Sequence, residues 1–208
     1  MSEKFLGRYR VKSARAQWWN YSWDGSYFVT VCTRNKTCFF GHIEDNHVLL
    51  SELGKIALAQ WLEIPLKFPY TRLGEFVIMP NHVHGIIILQ KDQVKETIQA
   101  DHLSMDNIDN DQSSKDGNHL NEVKSFRIKG GITGKYNPML HNSLSRVMRW
   151  YTGRVSFECH KIDLDFNWQR RFFDQIIFDK NAYRSISNYI KRNPSNWEND
   201  TFFKPTIK

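Results

Sequence analysis

The sequence of 208 residues lacks the long apolar runs that would cross a membrane or open a secretory signal. No stretch approaches 18 uninterrupted apolar residues, and the opening residues MSEKFLGRYRVK contain no apolar segment. Cysteine is also scarce. Cys32, Cys38 and Cys159 form no CxxC pair and leave one thiol over, which argues against a disulfide framework or a cysteine zinc site. We therefore expect a cytoplasmic protein with reduced cysteines and no membrane association.

The chain carries an excess of positive charge, with a formal net charge of +7 at pH 7. Such an excess predicts a polyanionic partner, because clustered Lys and Arg release counterions from phosphate. The basic residues alternate with aromatic ones, a combination typical of single-stranded nucleic-acid binding, although a solvated basic surface over an aromatic core fits the composition equally well. The candidate phosphate contacts are Arg8, Arg10, Lys12, Arg15, Arg146, Arg149, Arg154, Arg170 and Arg171.

The composition predicts one domain over residues 1–208, with a basic arm at 1–17 and a polar insert at about 91–142. Between Lys91 and His119 there are seven acidic residues, three lysines and no aromatic residue. Such a segment buries too little apolar surface to fold alone, so we expect a flexible loop. Its Asp-rich run lacks the central glycine and closing glutamate of a calcium-binding loop.

The hydrophobic patterns outside the insert predict a series of strands and helices. Apolar and β-branched runs indicate strands at 27–33, 74–79 and 82–89, with residues 80–81 as a bend. Helical spacing indicates helices at 52–63 and from 143 through the following apolar stripe. A last helix is expected from the capping residue Asp179 to about Arg192, because Pro194 disfavours helical geometry in the residue before it.

The stretch MPNHVHGIIIL, residues 79–89, places two histidines at the head of a predicted strand. Side chains alternate along a strand, so His82 and His84 share one face with Ile86 and Ile88, whereas Val83 lies on the other. Two imidazoles on one face can bind one metal ion if another element supplies a third ligand. The alternative is that they end the strand and hydrogen-bond to backbone groups.

The last predicted helix offers candidates for the missing groups. Tyr189 and Asn193 lie four residues apart and therefore share one helical face. Among the eight tyrosines, only Tyr189 has a good ligating residue four positions later. A core role for Tyr189, at the edge of the apolar stripe of this helix, is the alternative.

Five segments together resemble the HUH single-tyrosine transposases of the insertion-sequence and REP-associated type: YFVTVCT, FFGHI, MPNHVHGII, WQRRFFDQII and NYIKRNPSNW. The resemblance covers roughly residues 18–90 and 143–197. It implies an α+β fold with a ferredoxin-like antiparallel sheet, helices packed on one face, and the histidines on a central strand. It also implies that His82, His84 and Asn193 bind a divalent metal, Mg²⁺ or Mn²⁺, and that Tyr189 is the nucleophile.

The function implied by this resemblance is nicking and strand transfer of single-stranded DNA through a 5′-phosphotyrosine intermediate. The expected substrate is DNA with palindromes that fold into hairpins, and the protein is a possible homodimer. Two alternatives stay open: a domesticated DNA-binding regulator with little turnover, and a metal-dependent phosphoesterase that uses water. Only the transposase requires Tyr189 to become covalently attached to DNA.

Overall fold

The computed structural model describes residues 19–91 and 142–203, and the backbone of two short strands, β1 (Lys4–Phe5) and β2 (Arg8–Tyr9). In chain order the remaining elements are β3 (Gly25–Cys32), β4 (Gly41–Glu44), β5 (His47–Leu50), α1 (Glu52–Leu62), α2 (Ile64–Lys67), β6 (Thr71–Met79), β7 (His82–Leu89), α3 (Leu144–Cys159), β8 (Phe173–Ile177) and α4 (Lys180–Arg192). Short 3-10 helices span Arg34–Lys36 and Pro194–Asn199. The interior of the predicted insert and the side chains of the predicted arm lie outside the described residues.

The main sheet contains four antiparallel strands in the order β6-β7-β3-β8. Helix α1 lies between β3 and β6 along the chain, and α3 lies between β7 and β8. This β-α-β-β-α-β succession with β3 and β7 in the centre is the ferredoxin-like arrangement. The prediction of an α+β fold on an antiparallel sheet is therefore confirmed.

The two faces of the sheet pack against different helices. Val83 and Ile87 of β7 belong to the larger core, which also contains the buried stripes of α1 and α3. Ile86 belongs to a second cluster on the other face, together with Ile190 and neighbouring apolar residues of α4. The sequence led us to expect helices on one face, and the structure adds α4 on the opposite face, where it lies beside the histidines.

Side-chain caps set the start of each main helix. The hydroxyl of Ser51 accepts a hydrogen bond from Gly54 N at 3.1 Å, so α1 begins at Glu52. Asp179 caps α4 by accepting hydrogen bonds from Asn181 N and Ala182 N, both at 2.8 Å. These two predicted helix starts are confirmed, as is the end of α4 at Arg192.

The predicted bend at Pro80 and Asn81 is a two-residue connection between antiparallel strands β6 and β7. Phe40 N donates a hydrogen bond to Pro80 O, and Thr33 N donates one to Asn81 O. Because the connection between β3 and β4 holds this turn at both ends, it presents the first residue of β7, His82, in a defined position.

Within residues 19–91 and 142–203, no helix is both long enough and apolar enough to span a bilayer. All three cysteines are free thiols; Cys32 and Cys159 are buried, and Cys38 is exposed.

Candidate active site

The two histidines lie next to each other on a strand in the middle of the sheet. Strand β7 pairs with β3 on one side and β6 on the other, and the alternation of side chains puts His82 and His84 on the same face. Both are buried, with exposed fractions of 0% and 1%, and their ring centroids are 4.4 Å apart. The structure therefore brings together the two imidazoles that the HxH spacing predicted as a pair.

The neighbouring side chain of Asn81 determines the tautomer of His82. The Asn81 amide donates hydrogen bonds through Nδ2 to Lys36 O at 3.0 Å and to Phe202 O at 2.8 Å. Its Oδ1 must therefore face the ring, where it lies 2.8 Å from His82 Nδ1 and can only accept. The hydrogen of the neutral imidazole is consequently on Nδ1, and Nε2 keeps its lone pair. That Nε2 is buried and has no hydrogen-bond partner in the described part of the chain.

His84 lies between a hydroxyl and a phenol. Its Nδ1 is 2.8 Å from Thr30 Oγ1, on the residue directly opposite in β3. Its Nε2 is 3.2 Å from the Tyr189 hydroxyl, which reaches the sheet from α4. Thr30 can accept a hydrogen from Nδ1, which leaves the Nε2 lone pair facing Tyr189. Tyr189 is 45% exposed, so its hydroxyl touches the buried histidine while its ring remains accessible from solvent.

Burial controls the protonation of all three groups. Desolvation lowers the pKa of His82 well below its usual value and lowers that of His84 to about 4. Both rings are therefore neutral near pH 7 and able to ligate a metal ion. Burial also raises the pKa of Tyr189, with a further increase from the carboxylate of Asp200. The nucleophile candidate is thus a neutral phenol that must lose its proton before it can react.

The third predicted ligand, Asn193, lies beside an acidic residue that the sequence did not single out. Asn193 is 2% exposed, and its Nδ2 donates a hydrogen bond to Asp200 Oδ2 at 2.9 Å. This bond leaves Asn193 Oδ1 buried without a partner among the described residues. One ligand atom from each of His82, His84 and Asp200 lies within 4.8 Å of the other two. These three residues form a group that could hold a metal ion.

Two buried acceptor atoms at this site, His82 Nε2 and Asn193 Oδ1, have no donor within hydrogen-bond distance among the described residues. A buried acceptor without a donor costs about 1–3 kcal/mol and requires an explanation. A bound cation would explain both acceptors, because it can interact with the two lone pairs at once. Two imidazole nitrogens with a carboxylate and an amide oxygen are a donor set that fits a divalent metal.

Aromatic rings enclose the site and account for its low polarity. The ring centroid of Phe202 is 4.7 Å from that of His82, and the centroid of Phe28 is 5.3 Å from that of His84. The Asn81–Phe202 hydrogen bond and the Asn193–Asp200 hydrogen bond hold residues 200–202 against this site. Sequence reasoning missed Asp200 because it lies beyond α4, after a 3-10 helix, where no helical spacing relates it to Tyr189.

The predicted phosphate contacts are divided between different surfaces. Arg170 lines a cavity of about 810 Å³ with Arg34 and Lys36, at the end of β3 that pairs with His82. Arg171 is exposed. Three others lie on the outer surface of α3, on the opposite side of the sheet from the histidines: Arg146, Arg149 and Arg154. The side chains of Arg8, Arg10, Lys12 and Arg15 lie outside the described residues.

The fold is similar to that of a solved structure described as a REP-associated tyrosine transposase bound to a REP hairpin. The similarity covers 88% of this chain and 74% of that one, with a TM-score of 0.50 and 18% sequence identity. At this identity the likeness shows a shared fold.

No protein-family model matches the sequence. A protein of Haemophilus influenzae described as uncharacterized is 32% identical over 204 residues, which are 98% of this chain and 99% of that protein. This chain therefore belongs to the same family as the Haemophilus influenzae protein.

Proposed function

We propose that the protein is a metal-dependent transposase that nicks single-stranded DNA and transfers the strand through a 5′-phosphotyrosine on Tyr189. The observation that carries the proposal is the contact between the Tyr189 hydroxyl and His84 Nε2, 3.2 Å apart, beside His82 and Asp200. A half-exposed phenol next to two neutral imidazoles and a carboxylate is a composition suited to metal-assisted phosphoryl transfer. The shared fold with a tyrosine transposase supports the same reaction class.

The residues that would hold the ion are His82, His84 and Asp200, with Asn193 as a further oxygen donor. The sequence-based proposal had Asn193 as the third ligand, and Asp200 adds a harder, negatively charged donor to the set. This addition favours Mg²⁺ or Mn²⁺ more than two imidazoles alone would. When bound, such an ion supplies Lewis acidity, withdrawing charge from the phosphate and neutralising the developing negative charge.

His84 Nε2 can contact either the Tyr189 hydroxyl or a metal ion, and this choice affects the nucleophile. The Nε2 lone pair of His84 cannot accept a phenol proton and bind a cation simultaneously. If His84 Nε2 were to ligate an ion, its hydrogen bond with Tyr189 would be lost and the hydroxyl would be free for an incoming DNA strand. Removing the hydroxyl in Tyr189→Phe should consequently leave Mn²⁺ affinity equal or higher, while it removes the nucleophile.

In the proposed reaction, Tyr189 Oη bonds to the scissile phosphorus as the bond from phosphorus to the 3′ oxygen breaks. The phenol proton passes to solvent or a neighbouring base, and the leaving oxygen takes up a proton to become a 3′-hydroxyl. Attack by a 3′-hydroxyl on the phosphotyrosine reverses these changes and restores the phenol. Strand transfer thus needs no nucleotide cofactor, because the phosphodiester bond is exchanged for another ester of similar energy.

The proposed substrate is single-stranded DNA with a hairpin. The net charge of +7 favours a polyanion, and the transposase that shares this fold was solved with a REP hairpin. Homodimerisation remains a prediction.

The test is incubation of the protein with end-labelled, hairpin-bearing single-stranded DNA and Mn²⁺, followed by denaturing gel electrophoresis. The proposal predicts a covalent protein–DNA adduct that disappears in Tyr189→Phe and persists in Tyr183→Phe. Tyr183 provides a matched control because it lies on the same helix, six residues earlier. Cleavage without an adduct, unaffected by Tyr189→Phe, would identify a phosphoesterase that uses water. DNA binding without adduct or cleavage over a panel of hairpins would favour a regulator.

A further inference from the structure

The outer surface of α3 carries a stripe of basic and aromatic residues interrupted by a glycine. Residues separated by three or four positions lie on the same helical face. Opposite the buried stripe of this helix, that spacing joins Arg146, Arg149, Trp150, Gly153, Arg154 and Phe157. The stripe therefore combines charge, stacking surface and an open position at its centre.

Nothing among the described residues requires a glycine at position 153. Within residues 19–91 and 142–203, a Cβ added to Gly153 would meet no heavy atom within 4 Å outside its own helix backbone and chain neighbours, and its φ is not positive. Glycine in a helix interior costs about 1 kcal/mol relative to alanine. Gly41, Gly54, Gly74 and Gly85 are closely packed; a Cβ on Gly85, for example, would overlap the Trp61 ring. Gly153 instead leaves space on the protein surface.

That space is the floor of a groove of about 520 Å³. Among the described residues, Lys67 and Phe68 complete the lining together with the α3 stripe, and none of these residues is acidic. Phe157 is 58% exposed, and Lys161 Nζ and the Arg154 guanidinium lie 4.7 and 5.5 Å from its ring centroid. The groove thus offers rings at its surface and cations around them.

Most of the groove's charge is available to a ligand. Arg154 pairs with Glu158 at 2.9 Å, and Arg146 Nη1 donates a hydrogen bond to the neutral Asn142 Oδ1 at 3.1 Å. Lys67, Arg146 and Arg149 form no ion pair within residues 19–91 and 142–203. Flat rings beside unpaired cations match the bases and phosphates of single-stranded nucleic acid. The combination does not match duplex DNA, whose bases are stacked on one another and unavailable to the rings.

The groove is on the opposite side of the sheet from the candidate active site. The buried stripe of α3 packs on the face of β7 that carries Val83 and Ile87, whereas His82 and His84 alternate to the other face. A nucleotide in the groove is therefore distant from the reacting phosphate. Any DNA held there belongs to a part of the strand outside the cleavage position.

We propose that this groove is a second binding site for single-stranded DNA, in which unstacked bases lie over Gly153 against Trp150 and Phe157. The phosphates contact Arg146, Arg149 and Lys67. The choice of DNA as the polyanion rests on the proposed function, whereas the presence of the site does not. Its role is to retain a flanking segment of the strand while another segment occupies the active site.

The experiment measures fluorescence anisotropy of a labelled oligothymidylate with the full-length Tyr189→Phe protein, without divalent metal. Gly153→Gln places a side chain on the groove floor and should weaken binding about tenfold, the loss expected for about one stacked base. Gly153→Ala adds only a methyl group and should bind nearly as wild type does. Both substitutions replace a helical glycine, so both variants should be at least as resistant to urea as the parent protein.

The salt dependence of binding tests the charges separately. Arg149→Ala should reduce the slope of log affinity against log salt concentration by about 0.7, the value for one phosphate contact to a single strand. Lys55→Ala removes a lysine on the exposed surface of α1, outside the groove, that pairs with Glu52 at 2.7 Å, and should leave the slope unchanged.

Two results would overturn the proposal. Unchanged DNA affinity in Gly153→Gln would show that the groove does not bind DNA, and would indicate a protein partner or another part of this chain as its occupant. Equal losses in Arg149→Ala and Lys55→Ala would show that DNA attraction is spread over the surface. Neither assay involves cleavage, so a failure to form the Tyr189 adduct would not affect their outcome. Conversely, formation of the adduct would not support the groove if the DNA affinity of Gly153→Gln were unchanged.

Discussion

Replacing Asn81 with alanine should lower both the stability of the protein and its affinity for Mn²⁺. The fully buried amide makes hydrogen bonds of 2.8–3.0 Å to Lys36 O, Phe202 O and His82 Nδ1. At about 0.5–1.5 kcal/mol for each bond, their loss corresponds to about 3 kcal/mol of unfolding free energy. For a chain of this size we expect a fall in melting temperature of about 6–12 °C.

The loss of metal affinity has a separate cause. Asn81 accepts the Nδ1 hydrogen of His82 and so keeps the Nε2 lone pair available to the proposed metal site. Removal of a group that orients a metal-binding histidine typically weakens metal binding 10–100-fold. A Mn²⁺ titration followed by electron paramagnetic resonance of the free ion measures this change directly, independently of any activity.

Asn81→Asp separates the two effects. The carboxylate still accepts the Nδ1 hydrogen of His82, but it cannot donate to the carbonyls of Lys36 and Phe202. We therefore expect a stability loss similar to that of the alanine variant, with Mn²⁺ affinity close to that of the parent protein. Parental Mn²⁺ affinity in Asn81→Ala would refute the reasoning. So would an equal loss of affinity in the two variants.

Four further substitutions test the fold by urea unfolding. Gly85→Ala should lower the unfolding free energy by about 1–3 kcal/mol, because the new methyl overlaps the buried Trp61 ring; an unchanged midpoint would contradict this close packing. Gly153→Ala, the same change on an exposed helix, should instead raise it by up to about 1 kcal/mol, and a decrease would reveal a packing role. Asp179→Ala should cost about 0.5–2 kcal/mol through the lost cap of α4, whereas Asp179→Asn should retain most of the stability.

Local sequence patterns were sufficient to predict the main elements near the site. Alternation along residues 82–89 placed the histidines on one face and Val83 with Ile87 on the other, as the two core clusters show. The predicted caps of α1 and α4 were also correct, because each depends on a hydrogen bond within three residues of the capping side chain. Interactions of this range are encoded directly in residue order.

The role of Asp200 could not be inferred in the same way. Glu198, Asn199 and Asp200 are adjacent in the sequence, and no periodicity distinguishes one of them as a ligand. Only the packing of the segment against the site selects Asp200, through its hydrogen bond from Asn193. The face covered by α4 was likewise undetermined, because an amphipathic helix specifies its own buried side but not which surface it buries against.

The sequence by itself determined the paired imidazoles, the tyrosine and amide on one helix, and the excess of positive charge, since these follow from composition and short spacings. The tertiary structure decided that Tyr189 contacts His84, that Asp200 joins the histidines, and that the arginines of α3 lie on the opposite side of the sheet. Tyr189 and His84 are 105 positions apart in the sequence, and Asp200 and His84 are 116 apart. The arginines of α3 follow the histidines by more than 50 positions. Over such distances, the contacts depend on how the whole sheet and its helices pack, which no local pattern encodes.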